Sequence, residues 1–331
     1  MIRIIAFETR EDELIPFNQM KALYDVEIVC TEKTLNKHTL PLLSGAQAVS
    51  TLGQSKLNRE LLLELKARGI SCVSTRTMGY NHIDLEAATK LGIRVANARY
   101  SPNGVADYTV MLILMSLRKY KQAMWRVNVN DYSLPGLQGR EMHNLTIGII
   151  GTGNIGAQVI RNLSGFGCRL VAFDTRTNPA VETLVEYMPL DELYAQADVL
   201  TFHVPLLDST FRMVSKQSLK KMKDGVILVN CSRGELMNIS DVIDAIESRK
   251  IGALAMDVFE NETGIYHLDR RTDIISNRDM AYIRQFPNVI MTQHIAFYTD
   301  AAVAEMVQCG IKSLVGFIRA GTSTQEVTCL K

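Results

Sequence analysis

"TIGIIGTGNIG", residues 146–156, decides how this chain folds. It opens with a short apolar run that reads as a buried strand, and three glycines follow in G-x-G-x-x-G spacing: Gly151, Gly153 and Gly156. The first glycine permits a tight turn, and the second lets backbone approach a pyrophosphate. The third lets the next helix, "NIGAQVIRNLSGFG", pack on the strand with its N-terminus toward the phosphates. The spacing alone is weak, but its context strengthens it. The next strand, "RLVAFD", ends at Asp174, about 20 residues further on, where a carboxylate meets a ribose diol. Asp174 would repel a 2′-phosphate, so the reading favours NAD over NADP, with Arg176 working against it. The competing reading is an ordinary glycine-rich turn, and it does not account for this context.

Such a fingerprint normally stands near an N-terminus, yet here residues 1–145 precede it. They read as an α/β unit of their own. Strands are expected at "IRIIAF", "VEIVC", "AQAVSTL", "ISCVSTR" and "IRVANA", with helices at "EDELIPFNQMKALY", "NRELLLELKARG" and "HIDLEAATKLG". Strands alternating with helices imply a parallel sheet covered on both faces. "SPNGVADYTVMLILMSLRKYKQAMWRV" then reads as one long helix, capped by Ser101 with Pro102 at its first position. It is apolar around most of its circumference, so it should be buried. From Thr146 the alternation restarts, and "TDAAVAEMVQCGIKSLVGFIRAG" reads as a final helix returning to the first unit. The expected class is α/β, with two doubly wound parallel sheets and a dinucleotide unit, 101–298, inserted into a substrate unit made of 1–100 and 299–331.

Beyond the fingerprint, three strand ends carry chemistry-bearing side chains. "VNCSRGE" places Arg233 at one, where a guanidinium can grip a carboxylate through two parallel hydrogen bonds. "AMDVFENE" crowds Asp257, Glu260 and Glu262 at the next, and "IMTQHIAFYT" puts His294 at a third. A lone arginine is usually a solvated surface residue, and a lone histidine in an apolar run is usually a core residue. What raises them is the combination downstream of a dinucleotide fingerprint. Reduction of a ketone by hydride needs a proton donor, a role that suits histidine, and a carboxylate would hold the imidazole in orientation.

Hydrophobic residues make up 47% of the chain and charged residues 21%. The 36 Lys and Arg against 35 Asp and Glu leave a net charge of +1. That balance gives no electrostatic footprint for nucleic acid or for an anionic membrane. The longest apolar run, Val110–Leu117, is too short to span a bilayer. Six scattered cysteines without a CxxC pair suggest reduced thiols in the cytoplasm, and the histidines show no metal-ligand spacing.

In this order the motifs "STRTMGYNHIDLEAA", "YSPNGVADYTVMLIL", "GIIGTGNIG", "HVPL", "MKDGVILVNCSRGE", "AMDVFE" and "TQHIAFYT" run over essentially the whole chain. The chain resembles the D-isomer-specific 2-hydroxyacid dehydrogenases. The resemblance implies an NAD-dependent oxidoreductase with a Rossmann domain inserted into a flavodoxin-like domain. It implies Arg233 as the substrate arginine, His294 as the acid/base and Glu262 as its partner. Backbone N–H groups at Met78 and Gly79 would meet the substrate carboxylate, aided by Tyr100, and Phe297 would face the substrate. Asn154 and Ile155 would lie near the pyrophosphate, Asp257 near the nicotinamide amide, and Val204, Pro205 and Cys231 along the cofactor.

The resemblance also implies a homodimer formed largely by the Rossmann domains. The insert "NETGIYHLDRRTDIISNRDMAYI" is similar to the D-lactate, D-2-hydroxyisocaproate and vancomycin-resistance VanH branch. Gln293 replaces the proline usual before the histidine, and Cys231-Ser232 stands where threonine with a small residue is common. The expected activity is D-lactate dehydrogenase, with a (R)-2-hydroxyisocaproate dehydrogenase acting on branched or aromatic 2-oxo acids as the alternative. An NADH-sensing binding module ranks below both, because it goes with a different branch and with extra tails. An L-specific lactate or malate dehydrogenase would carry its fingerprint near the N-terminus.

Overall fold

The computed structural model describes residues 1–262 and 264–327. The chain divides into two compact units, Met1–Ser101 with Tyr298–Lys331, and Pro102–Phe297.

In the first unit, strands β1 (Ile2–Ala6), β2 (Val26–Cys30), β3 (Ala48–Thr51), β4 (Cys72–Thr75) and β5 (Arg94–Ala96) form a parallel sheet in the order β2-β1-β3-β4-β5. This is the flavodoxin-like doubly wound order. Helices cover both faces, so β3 and β4 are buried at every position. The last helix, Asp300–Ala320, packs against the helix Leu14–Tyr24 and against β4. Thr299 caps it through Oγ1, which accepts from Ala302 N, and Gly321 ends it in the left-handed conformation at φ +67°. By length and composition alone this helix could cross a membrane, yet 56% of its apolar window is buried inside the protein, and it serves as a core helix.

In the second unit, β6 (Thr146–Ile150), β7 (Arg169–Phe173), β8 (Glu186–Tyr187), β9 (Val199–Phe202), β10 (Val226–Asn230), β11 (Ile251–Met256) and β12 (Val289–Met291) form a parallel sheet. The order is β12-β11-β10-β9-β6-β7-β8. The order reverses between β6 and β9, and ligands of open α/β sheets bind in the crevice beyond the strand ends at that point. β8 is two residues long, too short to leave a period in the sequence.

The single helix expected over residues 101–127 is two helices, Asn103–Leu117 and Tyr120–Asn128. Lys119, at φ +51°, breaks the hydrogen-bond ladder between them. The N-cap position falls on Pro102, one residue after the expected Ser101. The first of these helices is buried, as its all-round apolar character requires, against the helix Asn154–Ser164 and strands β10 and β11. Cys30, Cys72, Cys168, Cys231 and Cys309 are free thiols, and Cys329 lies outside the described residues.

Candidate active site

The glycine turn leaves β6 at Gly151, whose φ of +93° is a conformation that L side chains rarely adopt. A Cβ there would meet the carbonyl O of His203 at 2.6 Å, and one on Gly156 would meet Gly151 O at 1.9 Å. Both positions are closed to any larger residue because strand, turn and helix touch through backbone. Gly153 differs: nothing lies within 4 Å of where its Cβ would sit. The second glycine therefore opens its space outward at the N-cap of the helix Asn154–Ser164, where a pyrophosphate can approach the backbone. Asn154 is exposed and Ile155 half-buried on the first turn. Asp174 follows β7. Burial pushes its carboxyl upward, but hydrogen bonds from Thr152 N, Arg176 N and Thr152 Oγ1 outweigh this and hold it below the ordinary range. Thr152 N donates at 2.6 Å, so the carboxylate of Asp174 is tied to the glycine turn itself.

Val204 and Pro205 continue from β9 over the turn. Val204 O accepts from Ser232 Oγ at 2.6 Å, and Pro205 O accepts from Thr210 Oγ1 at 2.6 Å. Cys231 is buried, and burial followed by the nearby Asp257 pushes its thiol up to about 12, so it stays protonated and unreactive. The residues of NAD's expected site thus fit the cofactor: a turn that only glycine can make, open space at Gly153, and an ionised Asp174.

At the end of β10, Asn230 is fully buried and builds the next turn. Its Nδ2 donates to Arg233 O at 2.8 Å and its Oδ1 accepts from Ser232 N at 3.0 Å. Arg233 Nη1 donates to Ser232 O at 2.7 Å, which fixes the guanidinium while Nε and Nη2 remain to meet a carboxylate. Gly234 then packs directly on the loop after β11: a Cβ would fall 2.2 Å from Glu260 N and from Phe259 C. That backbone contact brings the arginine turn beside Glu262.

His294 Nδ1 donates to Glu262 Oε1 at 2.6 Å, and Glu262 Oε2 accepts from Phe259 N at 2.9 Å. Burial pushes the Glu262 carboxyl upward, but the hydrogen bond and charge of His294, the Phe259 N–H and the charge of Arg233 hold it below the ordinary glutamate range. Glu262 is therefore an anion at neutral pH, and it orients the ring so that Nε2 is left to face a reactant. His294 itself sits at φ +58°, which costs about 1–2 kcal/mol for a non-glycine residue.

Asp257, fully buried, helps to hold this backbone. Oδ1 accepts from Thr292 Oγ1 at 2.6 Å and from Ile295 N at 2.9 Å, and Oδ2 accepts from Ala296 N at 2.8 Å. This scaffolding role was not legible in the sequence, where only the aspartate's place at a strand end shows. His267, which sequence reasoning also missed, donates from Nε2 to His294 O at 3.0 Å. Phe297 stands edge-on to His294, with centroids 6.2 Å apart.

The first unit carries the remaining expected residues at the carboxyl end of its sheet. Met78 and Gly79 lie half-buried in the loop after β4. Met78 O accepts from Asn97 Nδ2 at 2.8 Å and Gly79 O from Thr77 Oγ1 at 2.6 Å, which leaves the loop shaped by its carbonyls. Tyr100 is half-buried, and the neighbouring Ser101 N donates to Glu305 Oε2 at 2.6 Å. Arg233, Glu262, His294, Asp257 and Phe297 are assembled within the second unit, whereas Met78, Gly79 and Tyr100 belong to the first.

Residues 110–296 match the family model described as the D-isomer specific 2-hydroxyacid dehydrogenase, NAD binding domain. The chain is 39% identical over 330 residues to an aromatic 2-oxoacid reductase of Clostridium sporogenes, covering 99% of this chain and 100% of that protein. A crystal structure of a D-lactate dehydrogenase from Treponema pallidum superposes with a TM-score of 0.91 at 27% identity, covering 99% of this chain and 100% of that one. A D-2-hydroxyisocaproate dehydrogenase structure gives the same TM-score, identity and coverage.

Proposed function

Because the chain belongs to the D-isomer-specific 2-hydroxyacid dehydrogenases and is an NAD-dependent oxidoreductase, we propose that it reduces 2-oxo acids to (R)-2-hydroxy acids with Arg233, Glu262 and His294 as its catalytic residues. The observation that carries this reading is the 2.6 Å Nδ1–Glu262 hydrogen bond of His294, made beside Arg233 on the sheet that bears the glycine turn. NADH, when bound, supplies the hydride. Arg233 binds the substrate carboxylate and offsets negative charge developing on the ketone oxygen. His294 Nε2 delivers the proton to that oxygen, and Glu262 holds the imidazole and balances its charge. Gly151, Gly153, Asn154, Ile155 and Gly156 would hold the pyrophosphate, Asp174 the ribose, and Val204, Pro205, Cys231 and Asp257 the nicotinamide side. Met78, Gly79 and Tyr100 would bind the substrate carboxylate on the family reading.

The sequence reading favours pyruvate, and therefore D-lactate, as the reactant pair. Identity of 39% along the full length to an aromatic 2-oxoacid reductase supports the second reading, a larger apolar side chain. NADH oxidation by the purified protein with pyruvate, 2-oxobutyrate, 2-oxoisocaproate, phenylpyruvate, 2-oxoglutarate and hydroxypyruvate separates them. A kcat/KM maximum at pyruvate assigns D-lactate dehydrogenase, and a maximum at phenylpyruvate or 2-oxoisocaproate assigns the second reading. No turnover with any of the six would refute both and favour an NADH-sensing module.

The helix Tyr120–Asn128 and the segment after it expose Trp125 at 66%, Tyr132 at 73% and Leu134 at 81%. Trp125 and Met124 also line a cavity of 1160 Å³ with Tyr266, Met280 and Ile290. An apolar surface of this kind marks an interface, and its occupant on the family reading is a second copy of the chain. The scattered cysteines without a CxxC pair are the sequence feature that favours a cytoplasmic location.

A further inference from the structure

The peptide group joining His294 to Ile295 is held at both ends. Its N–H donates to Asp257 Oδ1 at 2.9 Å, and its C=O accepts from His267 Nε2 at 3.0 Å. A peptide unit is planar, so fixing both ends fixes its plane and with it the ψ angle of His294. That matters here because His294 occupies the left-handed region, φ +58°, which a side-chain-bearing residue leaves readily unless its surroundings determine it. His267 is also left-handed, φ +62°, and lies in the turn-rich segment that follows Glu262. Its ring packs at 6.0 Å from the His294 ring and 6.1 Å from that of Phe297, centroid to centroid. Because a carbonyl only accepts, Nε2 of His267 must carry a proton, which fixes its neutral tautomer.

We propose that His267 is a positioning residue for the reaction: it clamps the carbonyl of His294, so that the imidazole keeps its line from Glu262 to the substrate. The inference rests on the acid/base role of His294 proposed above. Two variants test it. His267→Phe keeps a ring against His294 and Phe297 but removes the donor. His267→Gln places an amide donor close to where Nε2 stood. Steady-state kinetics with the best 2-oxo acid, and NADH binding by fluorescence titration, should show kcat down about tenfold in His267→Phe, the loss expected for one neutral hydrogen bond. KM and the NADH Kd should stay within about twofold, and His267→Gln should recover most of kcat. Unchanged kcat in His267→Phe, or an equal loss in both variants, would overturn the clamp. His294→Gln, measured alongside, separates the two readings. If it loses turnover while His267→Phe does not, only the clamp falls. If it retains turnover, the acid/base role falls and the clamp with it.

Discussion

Replacing Gly234 by alanine adds one methyl group at a place where there is no room for it. The added Cβ would lie 2.2 Å from Glu260 N, 2.2 Å from Phe259 C and 2.7 Å from Phe259 Cα, whereas ordinary contact begins at 3.4 Å. All three neighbours are backbone, so no side chain can rotate away. The arginine turn and the loop after β11 must therefore separate by roughly 1 Å, and a misplacement of that size costs on the order of 100-fold in rate. The separation acts directly on the site, because Arg233 precedes Gly234 and Glu262 follows Glu260 by two residues. Overpacking of this kind also lowers stability by about 1–3 kcal/mol. The glycine turn at Gly151–Gly156 is built by other strands, so NADH binding should change little. The assay is kcat/KM for the preferred 2-oxo acid, with NADH Kd by fluorescence and thermal unfolding as controls. A loss of about two orders of magnitude in kcat/KM, with Kd within about threefold, is expected. A variant that folds and keeps kcat/KM within twofold of wild type would refute the idea that this backbone contact sets the arginine–glutamate geometry.

Asp174→Ala removes the carboxylate tied to Thr152, and the preference for NADH over NADPH should fall about 10- to 100-fold by kcat/KM with each cofactor. His203, hydrogen-bonded to Thr201 at 2.9 Å, is pushed by burial from 6.5 to about 3 and stays neutral in the folded protein. Below pH 6.5 the unfolded chain takes up a proton that the folded one refuses. The contribution is therefore complete above that pH and is lost as pH falls toward 3, at up to about 1.4 kcal/mol per pH unit. Urea unfolding of His203→Gln between pH 6.5 and 4 should show a correspondingly flatter slope, and an identical slope would contradict the reading. If the exposed Trp125 face pairs two copies as proposed, Trp125→Glu should lower the sedimentation coefficient to that of a monomer, and an unchanged coefficient would remove this face as the interface.

The features most legible in the sequence are those fixed by short-range patterning. The alternation of apolar strands and amphipathic helices gave both sheets, because parallel strands buried on two faces leave continuous apolar runs such as "VILVN". The glycines and Asp174 were legible because turn geometry and close approach admit few residue types. His294, Glu262 and Arg233 could be named only from their place at strand ends and from the family resemblance. The 2.6 Å contact between two of them spans residues 262 to 294 and leaves no local signal.

What was missed is similarly long-range or very short. The break at Lys119 lies inside an uninterrupted helical pattern, without glycine or proline to announce it. β8 is two residues long. The support given to the histidine loop by Asp257 depends on hydrogen bonds to residues 35 to 39 positions away, and sequence spacing carries no information about them. His267 follows the same rule: its partner is the backbone oxygen of a residue 27 positions on.

In the proposed reaction His294, held by Glu262, delivers the proton in an NADH-dependent reduction. Single-turnover oxidation of bound NADH by His294→Gln, followed by absorbance with the preferred 2-oxo acid in excess, tests it most directly. A rate constant down by at least about 100-fold, the lower range for loss of a general acid, is expected, with NADH Kd unchanged. A rate constant within a few-fold of wild type would contradict it.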